Sequence, residues 1–399
     1  MLRSGAGHVH LAGICGVGMA GLAVLLKASG LKVTGCDLAA SPMADWLERR
    51  GIRVCKGHDA SHIRAGVRWL VRSAAVPAGS PEIKAARRKG IPVFSRGEAL
   101  AVLVGGTDSI AVAGTHGKTT TTGLVAQVFK SCGCDPSFCI GGEIPVLGGV
   151  AGIGKGPLIV EADESDGTLA LYSPAISVIT NVEPDHMEHF GSMTALRECF
   201  ASLVRRTRRR VVYCADDPEA SALCEGWIGA LSYGTAPGAA FRATGIRLRG
   251  DGSIFTVSRY GKRLGTIRLP LPGRHNALNA LAAIAVAMET GLKFGHVRAA
   301  LAVAQLPRRR FEKTVDTRDL LVISDYGHHP SEIRALIRAV LGLDRARSGG
   351  RIRAVFQPHR YTRTLALADE FPVAFAGVDE VVLAPVYEAS EKPIAGGTT

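Results

Sequence analysis

The chain has 399 residues, 47% of them hydrophobic and 21% charged, and a formal net charge of +13. Such a length suits roughly two to four domains that bury their own cores, so no disulfide framework is required. Glycines interrupt every apolar run near the start, and no later run approaches the ~20 residues of a membrane span, so a cytoplasmic protein with no membrane insertion is expected.

Residues 8–36 read as strand HVHLAGI, a glycine turn, helix GMAGLAVLLKASG and strand KVTGC, a βαβ unit. WLVRSAAV and IPVF follow as short strands, and SPEIKAARRKG as a helix opened by Ser80 with Pro81 in its first turn. A parallel-sheet domain over 1–105 is predicted, ending at a hinge in VGGTDS. The second domain, 106–306, starts with strand, loop and helix in SIAVAGTHGKTTTTGLVAQVFKSCG, with Gly133 as C-cap. PLIVEAD, AISVITNV and RRVVYCADD have the β-branched character of central parallel strands. Residues 235–272 alternate and predict a small antiparallel patch turned at Asp251-Gly252, before the apolar helix GRHNALNALAAIAVAMETG. The third domain, 307–399, reads LLVISDY (strand), PSEIRALIRAVLGL (helix), IRAVFQP (strand), RTLALADEFPVAFAG (helix) and EVVLAPV (strand). The fold class is therefore three-domain α/β: a Rossmann-like first domain, a P-loop ATPase centre and a Rossmann-like third domain.

Nine cysteines, at 15, 36, 55, 132, 134, 139, 199, 214 and 224, form neither paired C-x-x-C knuckles nor a secreted scaffold. The close pair, Cys132 and Cys134, reads as a helix-ending turn rather than a metal or redox site. The excess of arginine suits anionic small substrates. Nucleic acid is not expected, because the basic runs at 205–210 and 308–310 lack interleaved aromatic residues.

Gly13, Gly16 and Gly18 lie in a turn that follows a strand and opens a helix, the setting for a nucleotide diphosphate. Cys15 stands where a dinucleotide fingerprint carries a glycine, which argues against a nicotinamide cofactor; Asp37 is placed to reach a ribose hydroxyl. The stretch AVAGTHGKTTTT has Val112 where a standard phosphate loop has glycine. It nevertheless offers backbone amides, Lys118 at a helix N-terminus, and the Thr119 hydroxyl for Mg²⁺. Glu161 ends an apolar strand, where open α/β sheets bind ligands, and suits the same ion. TNVEPDHMEHF gathers Asn181, Glu183, Asp185, His186, Glu188 and His189; its H-x-x-H spacing invites zinc, but oxygen ligands favour Mg²⁺. Arg360 and Arg363, three apart, are apt for a carboxylate.

GTHGKTTTT, EADESD, TNVEPDHMEH, GRHNALNALAA, RRRFE, DYGHHPSEI and FQPHRYTRT, in that order, together resemble the Mur ligases over nearly the whole chain. The resemblance implies that ATP phosphorylates the lactyl carboxylate of UDP-N-acetylmuramate. The amine of L-alanine then displaces phosphate from the acyl phosphate, a step of peptidoglycan precursor synthesis. It implies ATP phosphates on Gly114, Thr115, His116, Gly117, Lys118, Thr119 and Thr120, with Mg²⁺ on Thr119, Glu161 and His186. Arg310 would contact the transferring phosphoryl group, Asn276 the adenine and Asp325 the nucleotide. Tyr326, His328, Arg360 and Arg363 would form the alanine pocket, His328 also serving as base. Gly13, Gly16, Gly18, Asp37 and Ser73 would hold the UDP group.

Two departures accompany the resemblance. Ser324 replaces the first acid of the family's DD before YGHHP, and the sequence stops at YEASEKPIAGGTT, where relatives continue, so either a shortened third domain or an incomplete sequence is expected. A ligase that recycles whole peptides onto the same sugar nucleotide, and a catalytically silent nucleotide-binding protein, are the alternative readings.

Overall fold

The computed structural model describes residues 7–38, 41–249, 252–343, 346, 349–389 and 391–396. The first unit is a five-stranded parallel sheet ordered β3-β2-β1-β4-β5. Its strands are β1 (His8–Ala12), β2 (Lys32–Asp37), β3 (Arg53–Lys56), β4 (Val67–Arg72) and β5 (Val93–Ser95). Val9 and Leu11 are buried beneath the helix Val17–Ala28, while Ala12 is buried on the opposite face with Leu70 and Ile83. Gly13 turns the chain between β1 and that helix with φ +76°, and a Cβ there would meet the Ser73 Cβ at 2.8 Å; that crowding requires glycine.

Two helices, Pro42–Glu48 and Arg96–Gly105, lie outside the expected elements. The second extends into the predicted hinge, where Ser109 Oγ donates to the Val104 carbonyl at 2.8 Å and ties the junction down. Ser80 does precede the helix Pro81–Arg88, but its hydroxyl makes no capping bond.

The central sheet has ten strands ordered β15-β14-β13-β12-β11-β10-β6-β9-β7-β8. These are β6 (Ser109–Ala113), β7 (Ser137–Ile144), β8 (Gly149–Gly152), β9 (Leu158–Glu161), β10 (Ile176–Ile179), β11 (Arg210–Cys214), β12 (Ala230–Gly234), β13 (Phe241–Arg249), β14 (Gly252–Arg259) and β15 (Lys262–Leu269). Every residue of β6 and β10 is buried, as parallel strands covered on both faces must be. The antiparallel segment is not a separate patch. β12 pairs in parallel with β13 at Tyr233↔Phe241, so the hairpins extend one continuous sheet. Asp251 of the predicted turn lies outside the described residues.

One apolar core runs from Leu11 and Leu22 through Cys139 and Ala151 to Leu169 and Phe200. The first sheet and the central sheet are therefore joined by a shared core, not only by their linker.

In the third unit β16 (Glu312–Asp316) pairs antiparallel with β17 (Leu321–Ser324), and β18 (Arg353–Phe356) pairs in parallel with β19 (Glu380–Leu383). Among the described residues these remain two separate pairs. The single helix predicted from RTLALADEFPVAFAG is two, Tyr361–Ala366 and Glu370–Ala374. A cavity of about 1320 Å³ opens between the strand pairs, edged by Asp325, Tyr326 and His328.

Candidate active site

Strands β10, β6 and β9 are adjacent and parallel, so the loops leaving their C-terminal ends meet. This brings together the phosphate loop, Glu161 and the segment after Ile179. The loop is moulded by its neighbour: the Thr115 amide donates to the Asn181 carbonyl at 3.0 Å and the His116 amide to Asn181 Oδ1 at 2.8 Å. Thr180 Oγ1 donates to the His116 carbonyl at 2.6 Å. Gly114 adopts φ +134°, and a Cβ there would lie 2.0 Å from Thr180 Oγ1. The first-turn amides of the helix Lys118–Ser131 have no intrahelical acceptor and remain for an anion.

Lys118 Nζ donates to the carbonyls of Gly114 (2.6 Å) and Thr115 (3.0 Å) and to Glu164 Oε1 (2.8 Å). Burial opposes its charge, but Glu164, Asp163 and Glu161 together outweigh burial and hold the ammonium protonated. Burial and Asp163 push the Glu164 carboxyl upward, against the pull of Lys118. Glu164 is the central residue that sequence reasoning missed, although it stands inside the quoted EADESD.

Thr119 Oγ1 donates to Glu161 Oε1 at 3.0 Å, while the Gly141 amide donates to Glu161 Oε2 at 2.7 Å. His186 takes a left-handed conformation, φ +56°, and its Nδ1 is buried without a hydrogen-bond partner among the described residues. Asp185 and Glu188 oxygens each stand 3.7 Å from that ring. The Thr119 hydroxyl and the Glu161 carboxylate form a pair of oxygen donors suited to a divalent cation.

His116 carries a second positive charge into the loop. Burial alone would lower its pKa, but Glu183 at 3.5 Å and Glu332 at 3.7 Å raise it to about 9. Its ring also contacts Ser331 Oγ at 3.0 Å, so the loop is linked directly to the third unit. Glu183 is among the acids gathered in TNVEPDHMEHF, whereas the spacing of DYGHHPSEI does not single out Glu332.

Arg310 reaches the same place from the interdomain segment and donates to Glu332 Oε1 at 3.2 Å. Its neighbours Arg309 and Phe311 are left-handed, with φ +56° and +47°. Asp325 fixes this turn by accepting from the Phe311 amide at 2.8 Å and the Gly327 amide at 2.7 Å. Arg309 lies over the Tyr326 ring, 4.6 Å from its centroid.

Arg360 and Arg363 do not converge on a common vacant point. Arg360 pairs with Glu188, and Arg363 with Asp185 at 2.9 and 3.2 Å. His328 is held down to about 4 by burial and by Arg363, so it is neutral at pH 7. A neutral ring can accept a proton, but at that pKa it is a weak acceptor.

Asn276 is buried, with Nδ2 on the Pro272 carbonyl (2.7 Å) and Oδ1 accepting from Asn279 (3.3 Å). Asn279 is the one beside the phosphate loop, where a Cβ on Gly117 would lie 2.9 Å from its Oδ1. In the first unit, Asp37 Oδ2 accepts from the Cys15 amide at 2.8 Å and Oδ1 from the Leu38 amide at 2.8 Å, so the carboxylate braces the glycine turn. Ser73 donates its amide to the Ala12 carbonyl at 2.9 Å beside Gly13. A Cβ on Gly18 would lie 3.2 Å from Arg96 Nη1, and Arg96 bonds Asp163 at 2.9 Å. Arg96 thus joins the glycine turn to the segment that follows Glu161, a connection sequence reasoning did not anticipate.

Residues 8–107 match the Mur ligase family catalytic domain, 112–287 the Mur ligase middle domain, and 309–396 the Mur ligase glutamate ligase domain. The chain belongs to the Mur ligase family. The UDP-N-acetylmuramate–L-alanine ligase of Symbiobacterium thermophilum is 42% identical over 97% of this chain and 82% of its own length. The crystal structure of the UDP-N-acetylmuramate-alanine ligase of Thermotoga maritima superimposes with TM-score 0.83 at 31% identity, covering 95% of this chain and 85% of that one. A UDP-N-acetylmuramate:L-alanyl-γ-D-glutamyl-meso-diaminopimelate ligase from Neisseria meningitides gives TM-score 0.68 at 29% identity, over 76% of this chain and 99% of that one. As in other Mur ligases, ATP drives the reaction of this chain.

Proposed function

We propose that the chain joins L-alanine to the lactyl carboxylate of UDP-N-acetylmuramate in the cytoplasm, at the expense of ATP. One observation carries the reading: Lys118, His116, Thr119 and Glu161 gather at the ends of β6 and β9, and Arg310 and Glu332 approach them from the third unit. A carboxylate and a triphosphate repel one another, so in-line transfer needs cations held in advance on both sides of the reacting phosphorus.

A carboxylate oxygen attacks the γ-phosphorus and ADP departs. The neutral amine of alanine then attacks the carbonyl carbon, and phosphate leaves with one of the original carboxylate oxygens. Lys118 exchanges Glu164 and the loop carbonyls for phosphate oxygens, and charged His116 adds a second donor to the same loop. Arg310 faces the transferring group from the third unit. Thr119, Glu161 and His186 would hold Mg²⁺, which supplies further neutralisation of the phosphates. The first unit's glycine turn, with Gly13, Gly16, Gly18, Asp37 and Ser73, takes the UDP group, with Asp37 bracing the turn. Asn276 and Asp325 serve the nucleotide. Tyr326, His328, Arg360 and Arg363 bound the alanine pocket, where the two arginines release their acids to receive the amino-acid carboxylate.

A phosphate-release assay with ATP and UDP-N-acetylmuramate across a panel of amino acids and short peptides tests the proposal. Turnover with L-alanine and not with the tripeptide L-Ala-γ-D-Glu-meso-diaminopimelate supports it. The reverse pattern assigns the chain to peptide recycling, and no turnover with any acceptor leaves a silent nucleotide-binding protein.

A further inference from the structure

Away from the phosphate loop, the first unit buries a second cluster of chemically active side chains. His10 on β1, Cys36 on β2, His58 after β3, His62 in the single turn Ala60–His62, and Glu82 in the first turn of the helix Pro81–Arg88 converge beneath the sheet. His10, Cys36 and Glu82 are essentially inaccessible, and the His58 and His62 side chains are 14% and 10% exposed.

The contacts are difficult to satisfy with hydrogen bonds alone. Glu82 Oε1 lies 2.8 Å from the Asp59 amide, 3.1 Å from His58 Nδ1, 3.1 Å from His62 Nδ1 and 3.2 Å from Cys36 Sγ. One carboxylate oxygen has two lone pairs, not four. Meanwhile Glu82 Oε2 is buried without a partner among the described residues. Cys36 Sγ also stands 3.5 Å from His58 Nδ1 and 3.4 Å from His10 Nε2.

These spacings suit ligands around a single ion. Atoms bound tetrahedrally at the usual Zn²⁺ distances stand about 3.3–3.6 Å apart. The donor atoms of Cys36, His58 and Glu82 all lie within 4.8 Å of one another, as do those of His10, Cys36 and His62. A thiolate, imidazoles and one carboxylate select zinc over magnesium or calcium.

We infer that Cys36, His58 and Glu82 form a structural site for Zn²⁺ or a similar soft divalent cation in the first unit, with His62 held beside it 3.1 Å from Glu82 Oε1. The ion would tie β2, the segment after β3 and the helix Pro81–Arg88 together. It also sits directly behind the glycine turn, because the Cys36 carbonyl accepts the amides of Gly13 (2.9 Å) and Ile14 (3.1 Å). His10, against the Cys36 sulfur, lines the site. The two more exposed histidines give the ion its way in.

The test uses the full-length protein, stripped with a chelator and titrated with Co²⁺ in excess Mg²⁺. A thiolate-to-cobalt charge-transfer band that saturates at one equivalent, and that Zn²⁺ displaces, is expected. Cys36→Ser should abolish it, and Glu82→Gln or His62→Ala should weaken Co²⁺ binding by at least ~10-fold. Cys55→Ser and His186→Ala should retain it, which separates this site from the neighbouring thiol on β3 and from the phosphate-loop cation. His62 lies near the surface, so His62→Ala provides the reading if Cys36→Ser fails to fold. Absence of the band in the unmodified protein, or unchanged binding in Glu82→Gln and His62→Ala, overturns the inference.

Discussion

Asp185, in the segment after β10, and Arg363, in the helix Tyr361–Ala366, meet across the boundary between the central and third units through hydrogen bonds of 2.9 and 3.2 Å. Their side chains are only 11% and 7% exposed. Burial opposes ionisation of Asp185, but Arg363 and His186 together override it and hold the carboxyl well below the usual range. Breaking one side of such a pair leaves a buried charge. Arg363→Ala should therefore cost about 3–5 kcal/mol, and Asp185→Asn combined with Arg363→Gln less than the sum of the two single changes. Denaturant unfolding of the double-mutant cycle measures this. Additive effects would mean that the pair contributes no coupling.

If Arg363 also receives the alanine carboxylate, then Arg363→Lys, which keeps the charge but loses the fork, should raise KM for alanine much more than KM for ATP. Steady-state kinetics with each substrate varied in turn decides it. Equal increases would remove Arg363 from the amino-acid pocket.

His116 gives a pH signature. Its pKa is raised from 6.5 to about 9 in the folded chain, chiefly by Glu183 and Glu332 against burial. A raised pKa means that its stabilisation is complete below about pH 6.5 and is lost as pH climbs through 9. The unmodified protein should therefore lose Tm over that window, whereas His116→Asn should show a flatter profile. Parallel profiles would place the positive charge elsewhere.

Lys118→Ala should lower kcat by at least ~10²-fold, the scale for removing one preorganised donor, with little change in sugar-nucleotide affinity at the glycine turn. Because Glu164 would be left buried without its cation, Lys118→Ala combined with Glu164→Gln should recover stability without recovering turnover. Calorimetry and phosphate release together separate the two effects.

Gly97 reports on the contact between the first and central units. A Cβ there would lie 1.8 Å from Thr168 Oγ1 and 2.6 Å from its Cβ. Gly97→Ala should cost about 1–3 kcal/mol by overpacking, and Thr168→Ala in the same chain should relieve most of it. No cost from Gly97→Ala would mean that the two surfaces separate without penalty, and failure of the rescue would place the cost elsewhere than at Thr168.

Much of this was legible in the sequence because the signals were local. Apolar strands, the glycine turn and the Gly-Lys-Thr at a helix start each fall within about a dozen residues, and β1, β6 and the helix Lys118–Ser131 lie where those patterns put them. What escaped was set by distance along the chain. Nothing near Glu164 announces that it holds Lys118, since β9 must first lie beside β6. Glu332 reaches His116 across more than two hundred residues, and the paired states of Arg360 and Arg363 likewise exist only once the third unit is docked. The Cys36 cluster has no compact motif, because its members come from two strands, a loop and two helical turns. The hairpins β13–β15 were recognised, but their attachment rests on two residue pairs with β12, which no local pattern encodes.

The most direct measurement of the central claim follows one oxygen. UDP-N-acetylmuramate labelled with ¹⁸O in the lactyl carboxylate is incubated with ATP, L-alanine and the protein, and the released phosphate is analysed by mass spectrometry. One labelled oxygen should appear in the inorganic phosphate, because the acyl phosphate must surrender it when the amine attacks. Phosphate free of label, released alongside the alanyl product, would contradict the mechanism.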